Sequence, residues 1–163
     1  MSFIRRQEMD GWFSNLHKDN SLEIQFDYYY MCLMIGFAAL RDDPLQGGSE
    51  LIRHFPGPYA GASKLIVGLL LIAETKKLGK QLGNKRDVEF LVQQYLETSG
   101  SGVLNDVGFD RINDYANGGF NFLVEEYEDK PYHADSFFGW YTERLRILAT
   151  ESPLWSSQSA ITL

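Results

Sequence analysis

Nine consecutive residues, Leu-Ile-Val-Gly-Leu-Leu-Leu-Ile-Ala from Leu65 to Ala73, carry no polar side chain and run directly into Glu-Thr-Lys-Lys-Leu-Gly-Lys. At helical spacing such a segment has no face left for water. The sequence therefore predicts a helix over about 61–79, covered on every side by the chain's other helices. A membrane-spanning helix needs about 20 apolar residues, and the longest nearly apolar stretch, Tyr28 to Leu40, has thirteen. Both runs are expected to be core helices. With 163 residues, of which 44% are hydrophobic and 14% aromatic, the chain has enough apolar surface to offset the conformational entropy of one domain. The expected architecture is an all-α, single-domain bundle of five to seven helices over 1–150 around the central helix at about 61–79. A flexible C-terminal tail over 151–163 is expected to follow, loose unless Trp155 docks.

The remaining elements follow from periodicity and punctuation. Met9, Trp12, Phe13 and Leu16 fall at i, i+3, i+4 and i+7, which predicts an amphipathic helix from about Ile4 to Lys18. The stretch from Leu22 to Arg41 has no turn signal across twenty residues, too long for a strand of about 5 or 6, so Tyr28-Tyr29-Tyr30 is assigned to a helix. Pro44, Pro56 and Pro58 make 42–60 a connector, with one helical turn expected over Ser49 to His54 and Ser49 as its N-cap. Val88, Leu91, Val92, Tyr95 and Leu96 form a stripe behind Asn84, which is expected to cap that helix. A helical beat continues from Val103 to Tyr127 through Gly118-Gly119, where the sequence predicts either a break or the close approach of another backbone. The last helix is expected over about Asp135 to Thr150.

Charge is unevenly distributed. Residues 1–40 hold three bases and five acids, 41–86 eight and four, and 87–163 four and thirteen, within a net charge of −7. Lys76, Lys77, Lys80, Lys85 and Arg86 form a basic cluster that could contact a protein partner or phosphate, although a helix C-terminus attracts cations without any ligand. No aromatic residues interleave with these bases as single-strand stacking would require. His54, Phe55 and Tyr59, set among prolines, are a candidate docking loop, and a rigid cover over the central helix explains them equally well. Asp106, Asp110 and Asp114 recur every four residues and would repel along one helix face, where Arg111, the basic cluster, a cationic partner or Mg²⁺ could relieve them. Glu125 to Asp129 is an acidic run at a helix end, which the dipole disfavours and a partner's basic surface would explain.

Little in the sequence specifies chemistry. His17, His54 and His133 have no metal-binding spacing, and the single Cys32 lies among Met31, Leu33 and Met34 as a small hydrophobe suited to a reducing compartment. The glycine pairs fit no phosphate-binding motif. No export signal is visible at the N-terminus. No catalytic residue, metal or cofactor is expected. The reading is a non-enzymatic interaction subunit of a larger cytoplasmic assembly, joined to a protein partner or to itself and not to a membrane. The alternative is a nucleic-acid-linked accessory subunit, as in a bacterial DNA-processing or phage-defence system, contacting phosphates through 76–86. A metal-using enzyme built on Asp106, Asp110 and Asp114 is the third reading.

Overall fold

The computed structural model describes residues 1–151 and Trp155. In chain order these form β1 (Phe3–Arg5), α1 (Gln7–Trp12), α2 (Ser14–Lys18), α3 (Gln25–Ala39), β2 (Ser49–Ile52), a 3₁₀ segment (Gly57–Ala62), α4 (Ser63–Lys77), α5 (Lys85–Tyr95), α6 (Asp106–Glu126) and α7 (Ala134–Thr150). This is a small all-α bundle with one short two-stranded sheet.

Helix starts follow local hydrogen bonding. The Asp27 carboxylate accepts the Ile24 N–H at 2.8 Å ahead of α3. Asn84 caps α5 through the Arg86 N–H at 3.0 Å, and Asn105 caps α6 through the Gly108 N–H at 2.9 Å. Each removes one donor that the helix itself leaves unpaired.

The axis of the bundle is the α3–α6 pair, whose contact is the most extensive between any two elements. Small residues allow it. A methyl group placed on Gly119 would lie 1.7 Å from the Cys32 carbonyl oxygen, and one on Gly36 would lie 2.1 Å from the Tyr115 oxygen. The two backbones therefore touch where side chains would hold ordinary helices 8–10 Å apart. Of the two outcomes expected at Gly118-Gly119, close backbone approach is the one found, and α6 runs through the glycines unbroken.

The enclosed helix is thus α3, and α4 is not the centre that the apolar run suggested. One side of α3, with Phe26, Tyr29, Leu33 and Phe37, meets α4, α5 and the first half of α6. The other side, with Tyr28, Met31, Cys32 and Ile35, meets α1, α2, α7 and Phe120 of α6. Helix α4 buries Ile66, Leu70 and Ala73, while Leu65 is 59% exposed. The reason is geometric: α3 and α6 can approach through glycine, and α4 docks by one side on the pair they form.

Two further expectations fail. Residues 3–5 are a strand followed by two short helices in place of one helix from Ile4, and Ser49 to Ile52 pair with that strand antiparallel, Phe3 opposite Ile52 and Arg5 opposite Ser49. Ser49 therefore caps no helix. Phe3 is the cause: fully buried, it packs edge-on against Phe26, Tyr29, Phe55 and Phe109 at centroid distances of 5.2, 5.7, 4.9 and 5.1 Å. Asn113, buried on α6, fixes the same strand by accepting the Ile4 N–H at 2.8 Å and donating to the Ser2 carbonyl at 3.0 Å.

Candidate functional site

The basic cluster divides when it is placed on the structure. Lys77 pairs with Asp42. Lys80 lies 3.5 Å from Asp87 and 4.5 Å from the centre of the Phe90 ring, and Lys85 lies 3.6 Å from Glu89 in an exposed pair. Every charged side chain of the sequence belongs to the described residues, and among them Lys76 and Arg86 make no ion pair. Phe90 is the aromatic neighbour that the sequence pattern missed, because it arrives from the next helix.

The candidate docking loop is held to the core. Phe55 and Tyr59 pack on Phe26 at 6.2 and 4.8 Å, and the Tyr59 hydroxyl donates to Asp27 at 2.6 Å. His54 alone of the three is exposed. Burial and the Asp27 carboxylate push the Tyr59 hydroxyl well above its ordinary pKa.

Asp106, Asp110 and Asp114 do not act as one face. Asp106 and Asp110 are exposed, Asp106 lying 3.5 Å from the chain's amino terminus. Asp114 instead accepts the Leu45 N–H at 2.9 Å and Arg111 at 3.3 Å, tying the connector to α6. No group of three or more His, Cys, Asp or Glu side chains among the described residues is arranged to hold a metal ion.

Sequence reasoning missed the strongest polar cluster. Glu74, 2% exposed on α4, accepts from Arg111 at 2.6 Å and Tyr115 at 2.8 Å on one oxygen, and from Tyr95 at 2.5 Å on the other. Arg111 also reaches Asp42 at 2.5 Å. Burial alone would raise the Glu74 pKa, and donation from Arg111, Tyr95 and Tyr115 outweighs it, so the carboxyl stays below its ordinary value. Both tyrosine hydroxyls are pushed far up by burial and by that carboxylate. With both oxygens occupied, Glu74 clamps α4, α5 and α6 together and is not placed as a general base. A lone glutamate after nine apolar residues was the available signal, since a buried carboxylate requires partners.

Two of the surface clefts bear on a partner's docking. An apolar cavity of about 400 Å³ lies between α3, α4 and α7, lined by Met34, Ala38, Leu69, Ile72, Leu145 and Trp155 among others. Trp155 docks there, its indole N–H donating to the Ala38 carbonyl at 2.7 Å; the rest of the expected tail lies outside the described residues. At the other end of α6 is a cleft of about 500 Å³ rimmed by Glu126, Glu128, Asp129 and Lys130, with Tyr127, Tyr132 and His133 in its walls.

Cys32 is buried, and burial raises its thiol pKa, which removes the thiolate that nucleophilic chemistry needs. No described helix is long and apolar enough to cross a membrane. Comparison with protein-family models, with curated proteins and with solved structures finds no match to this chain.

Proposed function

We propose that the protein is a non-enzymatic interaction subunit of a larger cytoplasmic assembly. One observation carries this reading: α4, which holds the nine-residue apolar run, leaves Leu65 exposed and Leu69 and Ile72 only half-buried. Leu65, Leu69 and Ile72 recur at i, i+4 and i+7 on α4, about 100° around the helix from the buried Ile66, Leu70 and Ala73, and the stripe they form continues into the exposed Lys76. Leu69 and Ile72 also form one wall of the apolar cavity. Apolar helix faces of this spacing are what a partner's helix packs on, at roughly 25 cal/mol per Å² of surface removed from water.

Affinity capture from the native host with the wild-type chain and with a Leu65→Glu, Ile72→Glu double variant tests it. A defined set of proteins retained by the wild type and lost from the variant supports the reading. Identical sets from both, with the variant folded by circular dichroism, refute it.

The phosphate-contact alternative rests on Lys76 and Arg86, the two cluster cations without a carboxylate partner among the described residues. It requires DNA or RNA binding that weakens steeply with salt and with Lys76→Ala and Arg86→Ala. Absence of binding at low ionic strength removes it.

A further inference from the structure

The corner where α4 turns into α5 carries two features that do not usually coincide on a monomer's surface. Leu78, Leu82 and Phe90 are 48%, 52% and 44% exposed, and around them stand Lys76, Lys85 and Arg86, all exposed. Lys80 pairs with Asp87 and Lys85 with Glu89, which leaves the corner an excess of cations, and an apolar knob of that charge is complementary to an acidic cleft with aromatic walls.

The chain carries such a cleft at the far end of α6. Of its rim, Glu126 is engaged by Arg144 at 3.4 Å, while Glu128 and Asp129 make no ion pair among the described residues. Tyr132, in its wall, is 67% exposed. The two features cannot satisfy each other within one molecule. Lys77 and Arg111 share Asp42, which holds the corner beside residue 111. Glu126 lies fifteen residues further along α6, roughly 22 Å at the helical rise.

From this complementarity we propose that a second copy of this chain seats its α4–α5 corner in the 126–136 cleft, giving head-to-tail self-association. The proposal rests on the reading of the chain as an interaction module and supplies its partner. Leu82 enters between Tyr127 and Tyr132, and Lys85 and Arg86 meet Glu128 and Asp129. Because knob and cleft are different surfaces, the contact is heterologous, and each copy added leaves one knob and one cleft free. The knob holds Lys76, Lys80, Lys85 and Arg86 against Asp87 and Glu89, and the cleft holds Glu126, Glu128 and Asp129 against Lys130, so each patch keeps an excess of one sign that disfavours knob against knob and cleft against cleft.

Sedimentation velocity on the full chain at low ionic strength, over a range of concentrations, tests the proposal. The wild type is expected to gain mass with concentration and to lose it as salt screens the charges. Lys85→Glu with Arg86→Glu, and separately Glu128→Lys with Asp129→Lys, are each expected to sediment as one chain. An equal mixture of the two double variants pairs intact knob with intact cleft and reversed knob with reversed cleft, and is expected to regain mass with concentration. Leu82→Ser, which keeps every charge, is expected to weaken wild-type association at least tenfold. A wild type that stays at one-chain mass at low salt, or double variants that associate as the wild type does, overturns the proposal. So does a mixture that stays at one-chain mass while both variants are folded. None of these outcomes bears on partner capture through Leu65 and Ile72, so the two readings fail separately.

Discussion

Gly119→Ala should destabilise the protein, although alanine is the better helix former. In an open helix the exchange stabilises by about 0.8–1 kcal/mol, because glycine gives up more backbone freedom on folding. At Gly119 the added methyl would lie 1.7 Å from the Cys32 carbonyl oxygen, 2.7 Å from its carbon and 2.8 Å from the Gly36 nitrogen. All three are backbone atoms, so no side chain can swing away. Restoring an ordinary contact of about 3.5 Å requires α3 and α6 to part by well over 1 Å, more than the roughly 0.5–1 Å gap that already forfeits a quarter to a half of each dispersion contact along it. Overpacking in a dense core typically costs about 1–3 kcal/mol, and the rigidity of the obstacle places this case at the upper end. Net of the propensity gain, a loss of about 2 kcal/mol is expected, or a fall in Tm of roughly 4–8 °C for a domain of this size. Gly139→Ala is the control. It lies on α7 with nothing within 4 Å of the added methyl, and should raise stability by a few tenths of a kcal/mol up to about 1. Urea unfolding followed by circular dichroism measures both. Equal stabilisation by the two substitutions would show that α3 and α6 do not touch through glycine, and the bundle axis argued from that contact would be wrong.

Glu74→Gln keeps the shape of the clamp and removes its charge. With Arg111 then held only by Asp42 and Asp114, a loss of about 2 kcal/mol or more at neutral pH is expected. The folded Glu74 carboxyl lies below its ordinary pKa, so its contribution is present above the ordinary carboxylate range and disappears as pH falls through the folded value. The variant's stability should therefore change less with acidification, and parallel wild-type and variant curves would count against the clamp. Asn113→Ala removes the acceptor of the Ile4 N–H and the buried partner of the Tyr29 hydroxyl. It should cost about 1–3 kcal/mol and speed hydrogen exchange at Ile4, while unaltered exchange there would deny Asn113 its part in holding β1. Trp155→Ala should lower Tm by a few degrees through loss of the indole bond to Ala38 and of the ring's packing on the core, and an unchanged melting curve would show that this docking adds nothing to stability.

The sequence was most informative where periodicity and capping act over a few residues. The α5 stripe behind Asn84, the long helix through Tyr28-Tyr29-Tyr30 and the final helix ending at Thr150 all depend on neighbours along the chain, and all are present. The candidate site was less legible. Lys76 to Arg86 is one cluster in the sequence, but Asp42, Asp87 and Glu89 divide it in space. The Glu74 clamp draws on residues 42, 74, 95, 111 and 115, and no local pattern joins them.

Hydrophobic content determined that this chain buries a packed core, because the gain is roughly proportional to area and indifferent to direction, and the spacing of the apolar residues determined that helices form it. Apolar content could not say which apolar helix lies at the centre, since Leu65–Ala73 and Tyr28–Leu40 are both apolar runs without a charged residue. That choice was made in three dimensions by Gly36 and Gly119, where the absence of two β-carbons lets α3 and α6 meet backbone to backbone. Helix α4 is left on the flank with one apolar stripe only partly covered. Steric fit between distant segments is a property of pairs of surfaces, and a sequence displays those surfaces one at a time.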